Sequence, residues 1–446
     1  MRRSSCGAAR AEHDNARDAP WRGRSTVKRV RTLLHTALAS LALQGLAFAG
    51  PVALTEPEEV GLSSAQLDRL TEHLQQLLDD QRTGGFQVLI SRHGKVVMHE
   101  SLGMADIEAG RPVTDDTLFR IASMTKPVIG VAMMMLYEEG FFSLQDPLAT
   151  HIPEFADLQV YAGEDASGVM QLRTPARAPT IHDLMQHTAG FTYGIFGDTP
   201  VDRLYNETGV LSADLTQQAF IEAIAELPLL FDPGTRWNYS VATDIQGYLI
   251  EKWTGMKLAE FLHERIFEPL GMDETMAWVP ESERQNLAAV YTHDATGKLV
   301  STGGLLGDVT REPRRFSGGG QLISTSDDYW RFCQMLLSGG VFNGKRLLSP
   351  RSIEMMSQNR LDVPMSVPGW IEQQGFGLNF AVITDTSKAD FPATEGEYFW
   401  AGAMTTLFWI DPKQDLIAIM MTQYDPFQIG EYSDLMHRYV NTAVLD

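Results

Sequence analysis

Past residue 50 the chain alternates between two hydrophobic periods. Leu67, Leu70, Leu74, Leu77 and Leu78 recur three and four apart, which gives a helix one apolar face. Ser63-Ser64-Ala65-Gln66 in front of them reads as a capping box, with Ser63 at the N-cap and Gln66 at N3. The period then shortens. Apolar runs at 86–90 and 96–98 flank Arg92-His93-Gly94-Lys95, the pattern of a β-hairpin with glycine in its turn. The far end mirrors this: 405–410 and 416–422 are strand-like, joined across Asp411-Pro412-Lys413-Gln414-Asp415. A last helix begins at Glu431, with Tyr432, Leu435, Tyr439 and Val440 as its stripe. Between the ends, helical spacing predominates over 126–139, 181–187, 216–225, 240–254, 258–266, 326–337 and 349–359; Ser349-Pro350 is a clear start signal for the last of these. Strands at both ends and helices between predict an α/β (α+β) chain. An antiparallel sheet from 55–120 and 375–446 surrounds a helical insertion at 130–360.

Composition narrows the class. The 446 residues are 44% hydrophobic and 21% charged, ordinary for a globular chain and enough for one large two-lobed enzyme. A net charge of −21 argues against nucleic acid as a partner. Two cysteines exclude a disulfide scaffold or a Cys-based zinc module. The charge is uneven: residues 1–49 hold nine Arg/Lys and three acids, leaving 27 basic and 54 acidic residues in 50–446, or −27. Lys28, Arg29 and Arg31 precede an apolar run from Leu33 to Phe48 that ends in Ala47-Phe48-Ala49. That is the pattern of a secretory signal at 28–49, cut before Gly50, and it predicts an exported, periplasmic or secreted, enzyme. The run is short and broken by His35, Gln44 and Gly45, so no integral membrane association is expected. Residues 1–27 are an unstructured leader, consistent with translation starting near Val27. Cleavage removes Cys6 and leaves Cys333 in a helical apolar pattern, as a buried structural thiol.

The sharpest chemical signal is Ser123-Met124-Thr125-Lys126. Three residues apart on a helix, the two side chains share a face and can meet. A serine hydroxyl needs a base to become a nucleophile, and a lysine whose pKa is lowered by burial or nearby positive charge can supply one. Alone, the spacing favours an N-cap serine with a solvated lysine. Two further segments change that: Pro233-Gly234-Thr235-Arg236-Trp237-Asn238-Tyr239-Ser240-Val241, a turn leading into a helical run, and Tyr398-Phe399-Trp400-Ala401-Gly402-Ala403, at a strand.

With these elements in this order, the chain resembles the serine β-lactamase and penicillin-binding-protein superfamily, and more closely its class-C-like esterase and transesterase branch. The framing runs 180–190 and 318–325 belong to the resemblance, which covers most of 55–440. It implies a β-lactamase/transpeptidase-like fold with the active site between the sheet and a helical lobe. It implies Ser123 as the acylated nucleophile, Lys126 as its activator and Tyr239 as general acid–base, with Lys126 favouring the phenolate. The oxyanion hole would come from the backbone N–H of Ser123 and Ala403, with Trp400, Gly402 and Val241 against the substrate. Gly402 would leave the strand edge open to substrate. Two departures matter. Val241 stands where classical β-lactamases and peptidases usually have Asn, and Trp400 where they have the Lys or His that holds a substrate carboxylate. Both substitutions favour uncharged esters.

Other matches carry less. Gly339 to Lys345 fits Gly-x4-Gly-Lys, but Arg346 replaces the Ser/Thr that a phosphate loop needs. No Gly-x-Ser-x-Gly elbow is present. His182 and His187 lack a third ligand and read as packing residues. No metal or cofactor is implied. The leading expectation is a secreted serine hydrolase cleaving small ester (or amide) substrates, or transferring their acyl group. The alternatives are a β-lactamase or D-Ala-D-Ala peptidase, and an inactive binding or sensor protein on the same fold.

Overall fold

A computed structural model describes residues 53–304, 306–365 and 374–446. The leader at 1–27, the signal at 28–49, the cut before Gly50 and Cys6 lie outside the described residues. The sheet has strands β1 (Gly85–Arg92), β2 (Lys95–Asp106), β3 (Arg111–Pro112), β4 (Gln374–Phe376), β5 (Ala381–Ile383), β6 (Tyr398–Gly402), β7 (Thr406–Asp411) and β8 (Leu416–Met421). Its order is β4-β5-β6-β7-β8-β1-β2-β3, with antiparallel pairing throughout. The joint between the chain's two ends is the β1–β8 pair, with Leu89 opposite Ile419. Every residue of β1 and of β8 is buried, because helices cover both faces of the centre of the sheet.

The period-2 alternation sorts side chains between two cores. Phe86, Val88 and Ile90 point to one face, where they meet α1 (Ser64–Asp79) through Leu67, Leu70, Leu74 and Leu77. The C-terminal helix Ile429–Asn441 joins them there through Tyr432, Leu435, Met436 and Val440. Leu89, Phe408, Ile417 and Ile419 face the other core, which contains α2 (Thr125–Glu138), α3 (Ala242–Thr254) and α4 (Ser326–Leu337). The predicted antiparallel sheet and helical middle are present. Cys333 is buried on α4, and desolvation holds its thiol pKa well above the usual value. No described helix is long and apolar enough to cross a membrane.

Several local expectations need correction. Ser63 is the N-cap of α1 but makes no side-chain cap bond. A 3-10 turn at Pro57–Val60 brings Glu58 to that end, where it accepts the Ser64 N–H at 2.9 Å, and Gln66 reaches Thr442 Oγ1 at 2.7 Å instead of closing a box. The helix expected over 258–266 is α-helical only at Leu258–Leu262 and widens to a π turn at His263–Phe267. Pro269 follows directly and cannot donate to the Arg265 carbonyl four residues back, which loosens the turn. The helix expected over 181–187 stops at Met185, since His187 takes φ +58°. A helix at Pro200–Thr208, missed in the sequence pattern, has a full capping box from Thr199 and Asp202.

The turn after residue 185 carries part of the site, and Asp183 fixes it. Its buried carboxylate accepts Arg177 Nη1 at 2.6 Å and Nη2 at 2.7 Å, the Thr180 N–H and hydroxyl at 2.8 Å each, and the Thr188 hydroxyl at 3.2 Å. Burial opposes ionisation, but these donors outweigh it and the pKa lies below the ordinary carboxylate value. A depressed acid pKa contributes stability above the unfolded pKa, and that contribution disappears as pH falls through the folded value. Asp183→Asn is expected to lose about 2 kcal/mol at pH 7 in urea unfolding, and to lose less further stability than wild type on acidification below pH 4.

Candidate active site

Ser123 lies in a single 3-10 turn, Ala122–Met124, that runs straight into α2. It is therefore not an N-cap residue as a simple helix start would make it. The turn is tight: buried Ala122, just before Ser123, has φ +45°, a region that residues with a Cβ seldom occupy. The Ile121 N–H donates to the Leu322 carbonyl at 3.1 Å and holds the turn from outside.

Lys126 follows in the first turn of α2 and points back at Ser123. Its side chain is only 2% exposed. Nζ stands 3.1 Å from Ser123 Oγ and donates to the Gly319 carbonyl at 2.6 Å. Burial lowers the ammonium pKa to about 7, with the Asp244 carboxylate working in the opposite direction. An amine with that pKa is substantially neutral at physiological pH and can accept the serine proton.

Tyr239 immediately precedes the start of α3, with its ring 4.5 Å from Lys126 Nζ. An aromatic wall fixes the ring: Trp237 lies parallel at 6.2 Å, and His187 (5.1 Å), Tyr193 (5.3 Å), Trp400 (5.5 Å) and Phe196 (5.5 Å) pack around it. Burial pushes the hydroxyl pKa well above that of a free tyrosine, while hydrogen bonds with the side chains of Ser123 and Trp400 pull the other way. The structure thus favours a neutral phenol, in contrast to the phenolate expected beside a positive Lys126. The structure brings Ser123, Lys126 and Tyr239 together.

Two glycine sites allow this convergence. A Cβ on Gly319 would lie 2.4 Å from the Tyr193 hydroxyl and 2.6 Å from Asp244 Oδ2, so only glycine brings the carbonyl that holds Lys126 this close. A Cβ on Gly402 would lie 2.3 Å from the Ile121 carbonyl oxygen. Gly402 is buried. Its purpose is therefore to seat β6 against the Ser123 turn, not to leave a strand edge open to substrate. Ala403, next in the chain, is half-buried beside that turn, where its N–H was expected to serve the oxyanion hole.

The expected substrate contacts are also corrected. Val241 has no exposed surface and belongs to the core, and Trp400, 1% exposed, stands behind Tyr239. The exposed apolar surface next to Tyr239 comes instead from Phe196, 59% exposed, with Ile195 beside it. Loop residues of this kind give no periodic signal in sequence. His187, read as a packing residue, borders the site: its ring packs on Tyr239 and Nδ1 pairs with Ser240 Oγ at 3.0 Å. Burial, reinforced by Lys126, lowers its pKa well below that of free histidine, so it is neutral. Among the described residues, no group of three His, Cys, Asp or Glu side chains is arranged to hold a metal ion.

Serine, buried lysine and tyrosine meeting beside a helix-covered antiparallel sheet define a class, the serine enzymes with the β-lactamase/transpeptidase-like fold. The chain belongs to the beta-lactamase family, whose model matches residues 70–435. An uncharacterised protein of Mycobacterium tuberculosis is 35% identical over 371 residues, covering 81% of this chain and 90% of the relative. Esterase EstB of Burkholderia gladioli is 29% identical over 386 residues, covering 82% and 93%. A Salmonella typhimurium protein provisionally named D-alanyl-D-alanine carboxypeptidase is 26% identical over 420 residues, covering 87% and 90%. Among solved structures, EstCE1, a hydrolase with promiscuous acyltransferase activity, superposes with a TM-score of 0.70 at 26% identity, covering 84% and 98%. The family is one of serine hydrolases, esterases and acyltransferases built on this fold.

A protonated Lys126 cannot take the serine proton. The rate of Ser123 acylation is therefore expected to rise with pH through about 7 and to fall roughly tenfold per unit well below it. Fluorophosphonate labelling rates between pH 5 and 9 measure this; a rate flat across pH 6–8 excludes Lys126 as the base.

Proposed function

We propose that the protein cleaves uncharged carboxylic esters, or transfers their acyl group to an alcohol, through an acyl-Ser123 intermediate. The observation that carries this reading is the placement of a buried Lys126 amine, its pKa lowered to about 7, 3.1 Å from Ser123 Oγ. The Ser123 proton passes to Lys126 as Oγ attacks the ester carbonyl, and the N–H groups of Ser123 and Ala403 receive the oxyanion. Tyr239 gives its hydroxyl proton to the departing alkoxide. The resulting phenolate is held by the Lys126 ammonium and the Trp400 N–H. In the second half, the phenolate takes a proton from water or the acceptor alcohol, which attacks the acyl group, and Lys126 returns its proton to Ser123 Oγ.

Ester specificity rests on what surrounds Tyr239. The side chain at the position of the usual cation is a buried indole that offers no charge to a substrate carboxylate. The exposed surface is apolar, from Ile195 and Phe196. Both features support neutral substrates over β-lactams and D-alanyl peptides. The likeness to EstB and EstCE1 supports the same choice. We also infer export, from the basic and apolar pattern of residues 28–49; N-terminal sequencing of secreted protein, expected to begin at Gly50, tests it.

Wild type is expected to react with a fluorophosphonate probe and to turn over a short-chain nitrophenyl ester far faster than a chromogenic cephalosporin. Ser123→Ala abolishes labelling and turnover. Tyr239→Phe loses at least ~100-fold in kcat. Trp400→Phe, which removes the indole N–H together with part of the ring packed on Tyr239, loses about tenfold or more. Ser123-dependent cephalosporin turnover exceeding ester turnover would overturn the ester reading.

A further inference from the structure

The loop that delivers the Gly319 carbonyl to Lys126 is itself tied to a buried ion pair. Asp244, on the first turn of α3, is paired with Arg315 Nη1 at 3.1 Å, and the side chains of both are 3% exposed. The same carboxylate oxygen accepts the Ser317 hydroxyl at 2.6 Å, and its other oxygen accepts Tyr193 Oη at 3.4 Å. Arg315 also donates to the Leu211 carbonyl at 3.3 Å and stacks over the Phe220 ring at 4.5 Å. Gly319, whose carbonyl accepts Lys126 Nζ, packs so closely on Asp244 that a Cβ there would lie 2.6 Å from Oδ2.

We propose that Asp244 and Arg315 are positioning residues for Lys126: the pair clamps the 315–320 loop that holds Nζ, and Arg315 cancels the carboxylate that would otherwise keep the amine protonated. The inference rests on the Ser123–Lys126–Tyr239 reading. A buried lysine beside an unpaired carboxylate would form an ion pair and lose its basicity. With Arg315 in place the carboxylate is already satisfied. The other groups around Nζ add no opposing charge. Ser123 lies in the 3-10 turn ahead of α2, Tyr239 precedes α3, and neutral His187 and Tyr193 come from the segment after Met185. The carboxylate raises the lysine's pKa only as a secondary influence beside burial.

The two singly charged variants make opposite demands. Arg315→Gln leaves the carboxylate alone and is expected to raise the Lys126 midpoint by about one pH unit; Asp244→Asn leaves the guanidinium alone and is expected to lower it by a similar amount. Arg315→Lys preserves the charge and the wild-type midpoint. The uncharged double variant, Asp244→Asn with Arg315→Gln, falls between the two singles. The midpoint is read in two ways: from the acid limb of kcat/KM with a nitrophenyl ester, and without substrate from the 13Cε shift of Lys126 in 13C-lysine-labelled protein, assigned by its loss in Lys126→Arg. Opposite movements of the NMR midpoint uphold the inference even if ester turnover is absent, in which case the ester reading falls instead. Unmoved midpoints in folded single variants overturn it. Failure of both single variants to fold, with the double variant folded and titrating as wild type, would assign the pair a structural role alone and also overturn it.

Discussion

Everything in this site depends on keeping the Lys126 amine out of water without giving it a carboxylate partner. Desolvation of an ammonium is costly, and the protein relieves it by letting the group lose its proton near neutral pH. What holds the neutral amine is a set of dipoles: the Gly319 carbonyl on one side, Ser123 Oγ on the other and the face of Tyr239 above. The nearest carboxylate, Asp244, is occupied by Arg315, Ser317 and Tyr193. A direct Asp244–Lys126 salt bridge would bind the lysine more firmly and destroy its use as a base.

That electrostatic requirement becomes a packing requirement. Dipoles act only at contact distance, so three separate pieces of chain must approach one point: the Ser123 turn, the start of α3 and the 315–320 loop. Glycine at 319 lets the loop reach the amine, and glycine at 402 lets β6 reach the serine turn. The sheet supplies the rigid reference for both. β1 and β8, buried along their whole length, join the two ends of the chain, so a strand from residue 398 onward can be set against a turn near residue 122.

Much of this was legible in sequence because it lies in local pattern. The leucine stripe of α1, the β1–β2 hairpin and the strands of the C-terminal end follow from hydrophobic period alone, and Ser123 and Lys126 share a face by helical spacing. Tyr239 and Trp400 were assigned through resemblance to a family, since nothing local distinguishes a catalytic tyrosine from a packed one. What sequence did not yield depends on contacts between distant segments. The Ser63 capping box is sound by local rule, but Glu58 arrives from a preceding turn and takes its place. Val241 and Trp400 stand at positions associated with substrate, yet both are buried, Val241 in the core and Trp400 against the Tyr239 ring. Phe196 emerges only when the loop after Tyr193 is folded back over that ring. Asp244 and Arg315 are 71 residues apart, and no spacing rule joins them.

The substitution at position 400 then acquires an electrostatic meaning beyond substrate choice. A cation there would act on Tyr239 as well as on any substrate carboxylate, stabilising the phenolate and depressing the Lys126 pKa further. An indole there carries no full charge, so burial dominates and the phenol keeps its proton in the resting enzyme. In the proposed mechanism the division of labour follows: Lys126 offers a lone pair before acylation, and Tyr239 has a proton to give when the alkoxide departs. An alkoxide is a poor leaving group that needs that proton. A resting site with a basic amine and a protonated phenol suits the proposed cleavage of alkyl esters, in which the leaving oxygen must receive a proton.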